Sequence, residues 1–150
     1  MQNELFTVTK FIMDTFTDVP IVNTVSFEKT NDIDFNKENI YPLVNIDLVD
    51  SEPIDEVIVF NFTINILQQR DIDNELNNDK GLNKDNLIDN LNECYSIATR
   101  VFNHMNSNFN DHQIEISNQS AIRMVRNAYG NKLDGVAYEL SLEIPNTTVC

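Results

Sequence analysis

The chain has 150 residues, which suits one domain (1–150) built around a single hydrophobic core. Its 24 acidic and 10 basic residues give a formal net charge of −14, which argues against tight binding of nucleic acid because most of the surface repels phosphate. Hydrophobic residues make up 41% of the sequence, and no apolar run approaches the roughly 20 residues that a membrane helix needs. We therefore expect a folded protein in solution, without membrane contact.

The acidic composition has two interpretations. Acidic side chains keep a protein soluble, and they can also line a channel through which DNA slides without sticking. The two cysteines, Cys94 and Cys150, form neither a CxxC pair nor a metal-binding spacing, and the first ten residues carry no secretory signal. The predicted compartment is a reducing cytosol in which both thiols are free.

The N-terminal part of the chain is predicted to form a helix and two strands. Apolar residues at three- and four-residue steps predict a helix over 3–17, ended by Pro20, with one face on the core. Alternating patterns predict strands over 21–28 and 40–50, separated by a polar loop at 29–39. The apolar stripe of the helix comprises Leu5, Phe6, Val8, Ile12, Met13 and Phe16.

The strongest strand pattern in the sequence covers Val57–Gln69. Its even positions from Ile58 to Ile66 are all apolar, whereas the odd positions 61–65 are polar, which is typical of a half-buried strand at the centre of a sheet. The polar residues 51–53 include a proline and are predicted to end the preceding strand. The two strands are expected to form an antiparallel hairpin.

A long acidic loop is predicted over 70–84, where almost no side chain suits a core. Three of its acids have a spacing that suggests calcium, but Leu76 and Leu82 occupy the glycine and glutamate positions of an EF-hand loop. We therefore predict no metal site. The three acids are Asp71, Asp73 and Glu75.

The rest of the chain is predicted to form a long helix over 84–106 and strands over 113–118, 120–127 and 136–144, with Gly135 in the loop before the last strand. The resulting fold class is α+β, with a mostly antiparallel sheet and two helices packed on one of its faces. The predicted apolar stripe of the long helix comprises Leu87, Ile88, Leu91, Tyr95, Ala98, Phe102 and Met105.

The sequence contains no pattern typical of an enzyme. His104 and His112 flank a loop without a nucleophile in a recognisable triad context, and we expect both to be exposed. The glycines at 81, 130 and 135 are isolated and head no phosphate-binding loop. We predict that the protein is not an enzyme and has no catalytic residue and no cofactor.

The order of elements and one local pattern resemble the small tail-terminator and neck-ring proteins of tailed bacteriophages. In many of those proteins a patterned strand with a polar end, here INILQQRD at 64–71, precedes a loop and a long helix, here NLIDNLNECYSIATRVFNHM at 86–105. A turn like NKLDGV at 131–136 then leads into a final strand, here AYELSLEIPN at 137–146. The richness in Asn, Ile, Asp and Lys also looks like neck and tail proteins from phages of Bacteroidetes, including crAss-like phages.

The resemblance implies a structural virion protein with a tail-terminator-like fold, assembled in the host cytoplasm. It implies a homo-oligomeric ring at the head-tail junction, as a neck connector or tail terminator, that contacts portal, neck or tail proteins while DNA passes without specific binding. The alternative is a small acidic adaptor or inhibitor that binds a protein partner through its acidic face. A ring of this kind requires contacts between subunits, and the long loops at 29–39 and 70–84 are the expected contact regions. The predicted interface residues are Arg70, Asp71, Asp73, Glu75, Arg123 and Arg126.

Overall fold

The computed structural model describes residues 4–29, 41–69, 87–107, 113–128 and 133–146. These residues form two helices and a mostly antiparallel sheet of six strands, which confirms the predicted α+β class. Neither helix in these ranges is long and apolar enough to cross a membrane. The elements in chain order are α1 (Glu4–Thr17), β1 (Thr24–Ser26), β2 (Leu43–Ile54), β3 (Val57–Gln69), α2 (Leu87–Ser107), β4 (Glu115–Gln119), β5 (Arg123–Ala128) and β6 (Leu133–Pro145).

The sheet is organised around β3, which has the predicted bounds and lies between β2 and β6. The strand order is β1-β2-β3-β6-β4, and β5 also pairs with β6. All pairs are antiparallel except β1 with β2, which are parallel. Strands β4 and β5 follow one another along the same side of β6, opposite residues 140–143 and 133–137. Together they form one edge of the sheet.

Both helices pack on one face of the sheet, as predicted. Cross-strand partners such as Phe62 and Leu140 place the even residues of β3 and β6 on this face, which we call the helix face. The opposite face, with Asn61 and Ser141, we call the outer face. The core between helices and sheet comprises Val8, Ile12, Phe16, Val19, Val44, Ile46, Phe60, Phe62, Ile64, Ile66, Cys94, Ile97, Ala98, Val101, Met105, Ile114, Val136, Tyr138, Leu140, Leu142 and Ile144.

The predicted stripes of both helices are partly wrong. In α1 the exposed fractions are 45% for Leu5 and 65% for Phe6, although Val8, Ile12 and Phe16 are buried as predicted. In α2 the predicted stripe residues Ile88 and Tyr95 are exposed, because this helix buries a face rotated away from the one predicted. The rotated face includes polar and small side chains that an apolar count overlooks: its buried residues are Asn90, Cys94, Ile97, Ala98, Val101 and Met105.

The predicted break at 51–53 is also wrong, since β2 continues through these residues to Ile54. The chain turns at Asp55 and Glu56, and Asp55 adopts a φ of 50°, a conformation that Asp tolerates better than most residues. Pro53 is tolerated inside β2 because this part of the strand has a sheet partner on one side only among the described residues.

Strand β6 begins at Leu133, so Gly135 lies within a strand and the prediction that it belongs to a loop is wrong. Strand β1 covers only Thr24–Ser26 of the predicted 21–28. The predicted loops at 29–39 and 70–84 lie outside the described residues, apart from Lys29.

Candidate functional site

An apolar groove separates the N-terminus of α1 from the β2–β3 hairpin. The hairpin residues 49–56 are all exposed, and Val49 and Leu5 expose 58% and 45% of their surface. The groove has a volume of about 420 Å³. Exposed apolar side chains that cluster around a depression are typical of a surface that contacts another molecule. The groove is lined by Glu4, Leu5, Leu48, Val49, Asp50, Ser51, Pro53, Ile58 and Phe60.

Three carboxylates of β2 lie together on the outer face because of an irregularity at Val49. The pairing of β2 with β3 shifts between Leu48 and Asp50, so that Val49 is an extra residue on β2. Without this β-bulge, Asp50 would lie on the helix face, since side chains alternate along a strand. The bulge instead places the three acids on one face, where Asp47, Asp50 and Glu52 pair with Thr63, Asn61 and Val59.

A row of hydrogen bonds crosses the outer face from β2 to β6. The Asn61 side-chain amide donates to Asp50 Oδ1 at 2.5 Å, and the Ser141 hydroxyl donates to Asn61 Oδ1 at 2.5 Å. Asn61 therefore joins both neighbouring strands, and the side chain of Asp50 is held on the outer face.

Strand β5, at the sheet edge beside β6, carries two basic residues. Arg123 and Arg126 are both exposed on β5, and Met124 between them exposes 47% of its surface. Arg123 pairs with Ala137, whose odd position places Arg123 on the outer face. These are the two predicted interface residues that the structure describes. The other four, Arg70, Asp71, Asp73 and Glu75, lie outside the described residues.

A buried polar cluster connects the start of α2 to the ends of β3 and β6. The Asn90 amide donates to the backbone carbonyl of Gln69 at 3.1 Å and lies 3.5 Å from Asp134 Oδ2. Nearby, the Gln68 amide donates to Glu93 Oε1 at 3.3 Å. Asn90 and Asp134 are both buried, so these contacts replace hydrogen bonds that water would otherwise provide.

The thiol of Cys94 in this cluster is not poised for chemistry. Its Sγ lies 3.9 Å from the Asp134 backbone carbonyl. Burial, together with the nearby carboxylates of Glu93 and Asp134, raises the pKa of Cys94 to about 12. Because the thiolate is the nucleophile and the metal ligand, a thiol that stays protonated at neutral pH suits packing. The cluster therefore positions α2, and apolar periodicity could not reveal it because its members are polar or small.

The described residues contain no candidate metal centre. Within those ranges, no three His, Cys, Asp or Glu side chains are grouped so that they could hold a metal ion. His104 is exposed, as predicted, and lines a groove of about 410 Å³ between the helices that also includes Lys10 and Asp14. Phe62 and Tyr138 are buried in the core, and burial raises the pKa of Tyr138.

No protein-family model matches this sequence, and neither does any protein in a search of curated sequences. The resemblance to phage neck and tail proteins therefore stays a prediction.

Proposed function

We propose that the chain is a structural virion protein of a tailed bacteriophage that forms a ring at the head-tail junction, as a neck connector or tail terminator. Copies of the chain contact one another and neighbouring portal, neck or tail proteins. DNA passes through the ring without specific binding. The protein acts through its surfaces and not through a catalytic centre.

The observation that carries this proposal is the apolar groove between α1 and the β2–β3 hairpin. Leu5 and Val49 expose about half of their surfaces there, beside Pro53 of the hairpin. Burying such side chains against a neighbour contributes roughly 25 cal/mol per Å² of apolar surface. A hairpin with exposed apolar side chains on a helix-covered sheet is suited to a permanent contact between subunits.

The charge supports the same role. The net charge of −14 opposes lasting contact with phosphate, and a wall of this kind lets DNA slide during packaging and ejection. Five acids lie within residues 47–56 of the hairpin and no basic residue does. An acidic hairpin beside an apolar groove therefore combines a surface that binds protein with one that repels nucleic acid.

The direct test locates the protein in virions. Electron microscopy of particles that carry a labelled copy should place the label at the neck or the upper end of the tail. Absence of the label from both would refute the proposal. Loss of the label from particles together with the genome would also contradict the proposal, because it would indicate a protein from inside the head.

A second test addresses the groove. Replacing Val49 by Asp should prevent incorporation into particles while the purified chain keeps its helical circular dichroism. The matched control is Ile88→Asp on α2, which changes an equally exposed apolar residue outside the groove. Equal incorporation of the two variants would exclude the groove as an assembly contact.

A further inference from the structure

The apolar groove between α1 and the β2–β3 hairpin has an acidic border. Its lining includes Asp50 and contains no basic residue. The rest of the hairpin adds three exposed acids, which are Glu52, Asp55 and Glu56, and no basic residue. A molecule that fills this groove must supply an apolar side chain, and positive charge beside that side chain favours binding because it complements the acids.

The groove is suited to an inserted side chain and not to an added strand. Pro53 in its lining has no backbone N–H, and Val49 is the extra residue of a β-bulge, so both interrupt the row of hydrogen bonds that an added strand needs. All residues that line the groove belong to the described ranges, and Leu5 and Val49 keep about half of their surfaces exposed there. The groove therefore offers apolar side chains as its contact surface.

The charge of the groove excludes a symmetric contact between two grooves. Two copies that met groove to groove would bring two acidic hairpins together, and like charges at an interface cost affinity. A second copy that fills the groove must therefore use a different surface. That surface needs an exposed apolar side chain among basic residues.

Met124 on β5 has both properties. Among the described residues that expose a large apolar side chain, Met124 is the only one with two basic residues within two positions of it, which are Arg123 and Arg126. All three side chains are exposed. Residues 116–133 contain no acid, although the net charge of the whole chain is −14. Methionine is unbranched and flexible, so it adapts to an irregular apolar groove.

We propose that copies of this chain associate by docking Met124 of one copy in the apolar groove of the next, with Arg123 and Arg126 beside the acids of the hairpin. This inference rests on the proposed function in one respect, which is that the groove is a contact between copies. It names the part of the neighbouring copy that fills the groove.

The flank of α2 above β5 enlarges the apolar surface around Met124. Glu93 of α2 accepts a hydrogen bond from Gln68 of β3, whereas the next residue, Cys94, lies 3.9 Å from the Asp134 carbonyl of β6. A further step of about 100° around the helix places Tyr95 on the side of β5. Tyr95 exposes 43% of its surface. A docked hairpin can therefore bury this aromatic ring as well.

Met124 also faces the same side of the sheet as the groove. It pairs with Val136, whose side chain packs in the core under the helices, so Met124 lies on the helix face. The groove is lined by Leu5 of α1 and by Ile58 and Phe60, which are even positions of β3 on the helix face. Two copies in the same orientation can thus bring the methionine to the groove without turning either sheet over.

A single copy cannot fill its own groove. Strands β3 and β6 lie between β2 and β5, which separates the groove from Met124 by about three strand spacings, or ~14 Å. The contact therefore joins two different surfaces on opposite sides of the molecule. Repeating such a contact produces a ring or a helical filament.

The first test is cross-linking between two cysteine variants. In a Cys150→Ser background, M124C mixed 1:1 with V49C should form a covalent heterodimer with a short bifunctional maleimide, because docking brings these two positions together. The control is V49C mixed with I88C, since Ile88 is an exposed apolar residue on the first turn of α2, outside the contact. The native Cys94 thiol is buried and does not interfere.

The yields decide between the possible arrangements of two copies. A heterodimer of M124C and V49C that clearly exceeds the control supports the docking. A yield no higher than the control would overturn it. V49C that cross-links to itself as efficiently as to M124C would also overturn it, because two grooves would then face each other.

The second test measures the strength of self-association by sedimentation velocity up to millimolar concentration. Met124→Asp should raise the dissociation constant at least about tenfold, whereas Met124→Leu, which conserves volume, should change it by less than about threefold. Ile88→Asp should associate like the wild type, and circular dichroism verifies the folding of each variant. Equal dissociation constants for Met124→Asp and Ile88→Asp, or a wild type that stays monomeric, would contradict the docking.

Salt separates the contribution of the arginines from that of the methionine. The dissociation constant of the wild type should rise with ionic strength, because salt screens the attraction between the arginines and the hairpin acids. R123Q/R126Q should associate more weakly and depend less on salt. An unchanged salt dependence in this variant would remove the arginines from the contact.

Labelled virions test the ring independently of these measurements. A label at the neck without specific cross-linking would reject only the docking of Met124. Specific cross-linking without a label in the neck or tail would reject the proposed location and leave the contact between copies in place.

Discussion

Gly135 of β6 lies directly against the backbone carbonyl of Ile66 in β3. A Cβ built on residue 135 would lie 1.8 Å from that carbonyl oxygen. Gly135 also pairs with Val125 on its other side, so β6 is enclosed between two strands at this level. A side chain here cannot be accommodated by a rotamer change, because the obstructing atom belongs to the backbone.

Gly135→Ala should therefore lower the free energy of unfolding by an amount at the upper end of the ~1–3 kcal/mol typical of overpacked sites. Urea denaturation followed by circular dichroism measures this loss. The matched control is Ala137→Gly, which removes a methyl group from the same face of β6 and should cost only about 0.5–1 kcal/mol. Equal losses for the two variants would contradict the close approach of β3 and β6.

Two phenylalanines of α1 allow a matched test of where this helix contacts the core. Phe16 is fully buried, whereas Phe6 exposes 65% of its surface. Phe16→Ala should cost about 3–5 kcal/mol of unfolding free energy, because it leaves a cavity under the helix. Phe6→Ala should change stability by no more than about 0.5 kcal/mol. A large loss for Phe6→Ala would mean that α1 also packs through Phe6, contrary to the exposure of this side chain.

Asn90 should be essential to the docking of α2. Asn90→Ala removes a buried side chain together with its hydrogen bond to the Gln69 carbonyl, and losses of this kind cost about 1–3 kcal/mol. Thermal unfolding measures the loss. Asn92→Ala on the exposed side of the same helix is the control, with an expected change within about 0.5 kcal/mol. Similar melting temperatures for the two variants would show that the polar cluster does not hold α2.

The buried thiol of Cys94 should make stability fall at alkaline pH. The pKa of Cys94 is about 12 in the folded protein and 9.0 when unperturbed, so the unfolded chain loses the thiol proton first. The contribution of Cys94 to the free energy of unfolding is fully present below pH 9 and decreases as the pH rises towards 12. Cys94→Ala should flatten the pH dependence of unfolding over this window, and an unchanged slope would refute the assignment.

Thiol modification provides a separate check. In a Cys150→Ser background, Cys94 should react with Ellman's reagent at pH 8 only after the chain is unfolded in urea, since the thiol is buried and protonated. Rapid modification of the native protein would show that the thiol is accessible.

The sequence predicts those parts of the fold in which one face of an element is uniformly apolar. Strand β3 has the predicted bounds because its even residues pack under the helices while Asn61 and Thr63 do not. The buried face of α2 was predicted wrongly because it includes Asn90, a polar residue whose hydrogen-bond partner lies in a strand that is distant in the sequence. The role of Gly135 depends in the same way on the position of Ile66.

The charged residues on the surface of the sheet could be predicted only in part. Scarcity of basic residues singled out Arg123 and Arg126, and both are exposed on an edge strand. The grouping of Asp50 and Glu52 with Asp47 depends on a bulge. A bulge changes which face each later residue occupies, and strict alternation along β2 would have placed Asp47 on the opposite face from the other two.

The row formed by Asp50, Asn61 and Ser141 bears on how the chain avoids misaligned folding. Sliding β6 by two residues along β3 would keep apolar side chains on the helix face, so hydrophobic burial distinguishes the two alignments only weakly. On the outer face the same slide would replace Ser141 opposite Asn61 by Glu139 or Glu143. A carboxylate there cannot donate to Asn61 Oδ1 and would face Asp50 across a single strand. One serine between two glutamates thus discriminates against the nearest competing arrangement of the three central strands.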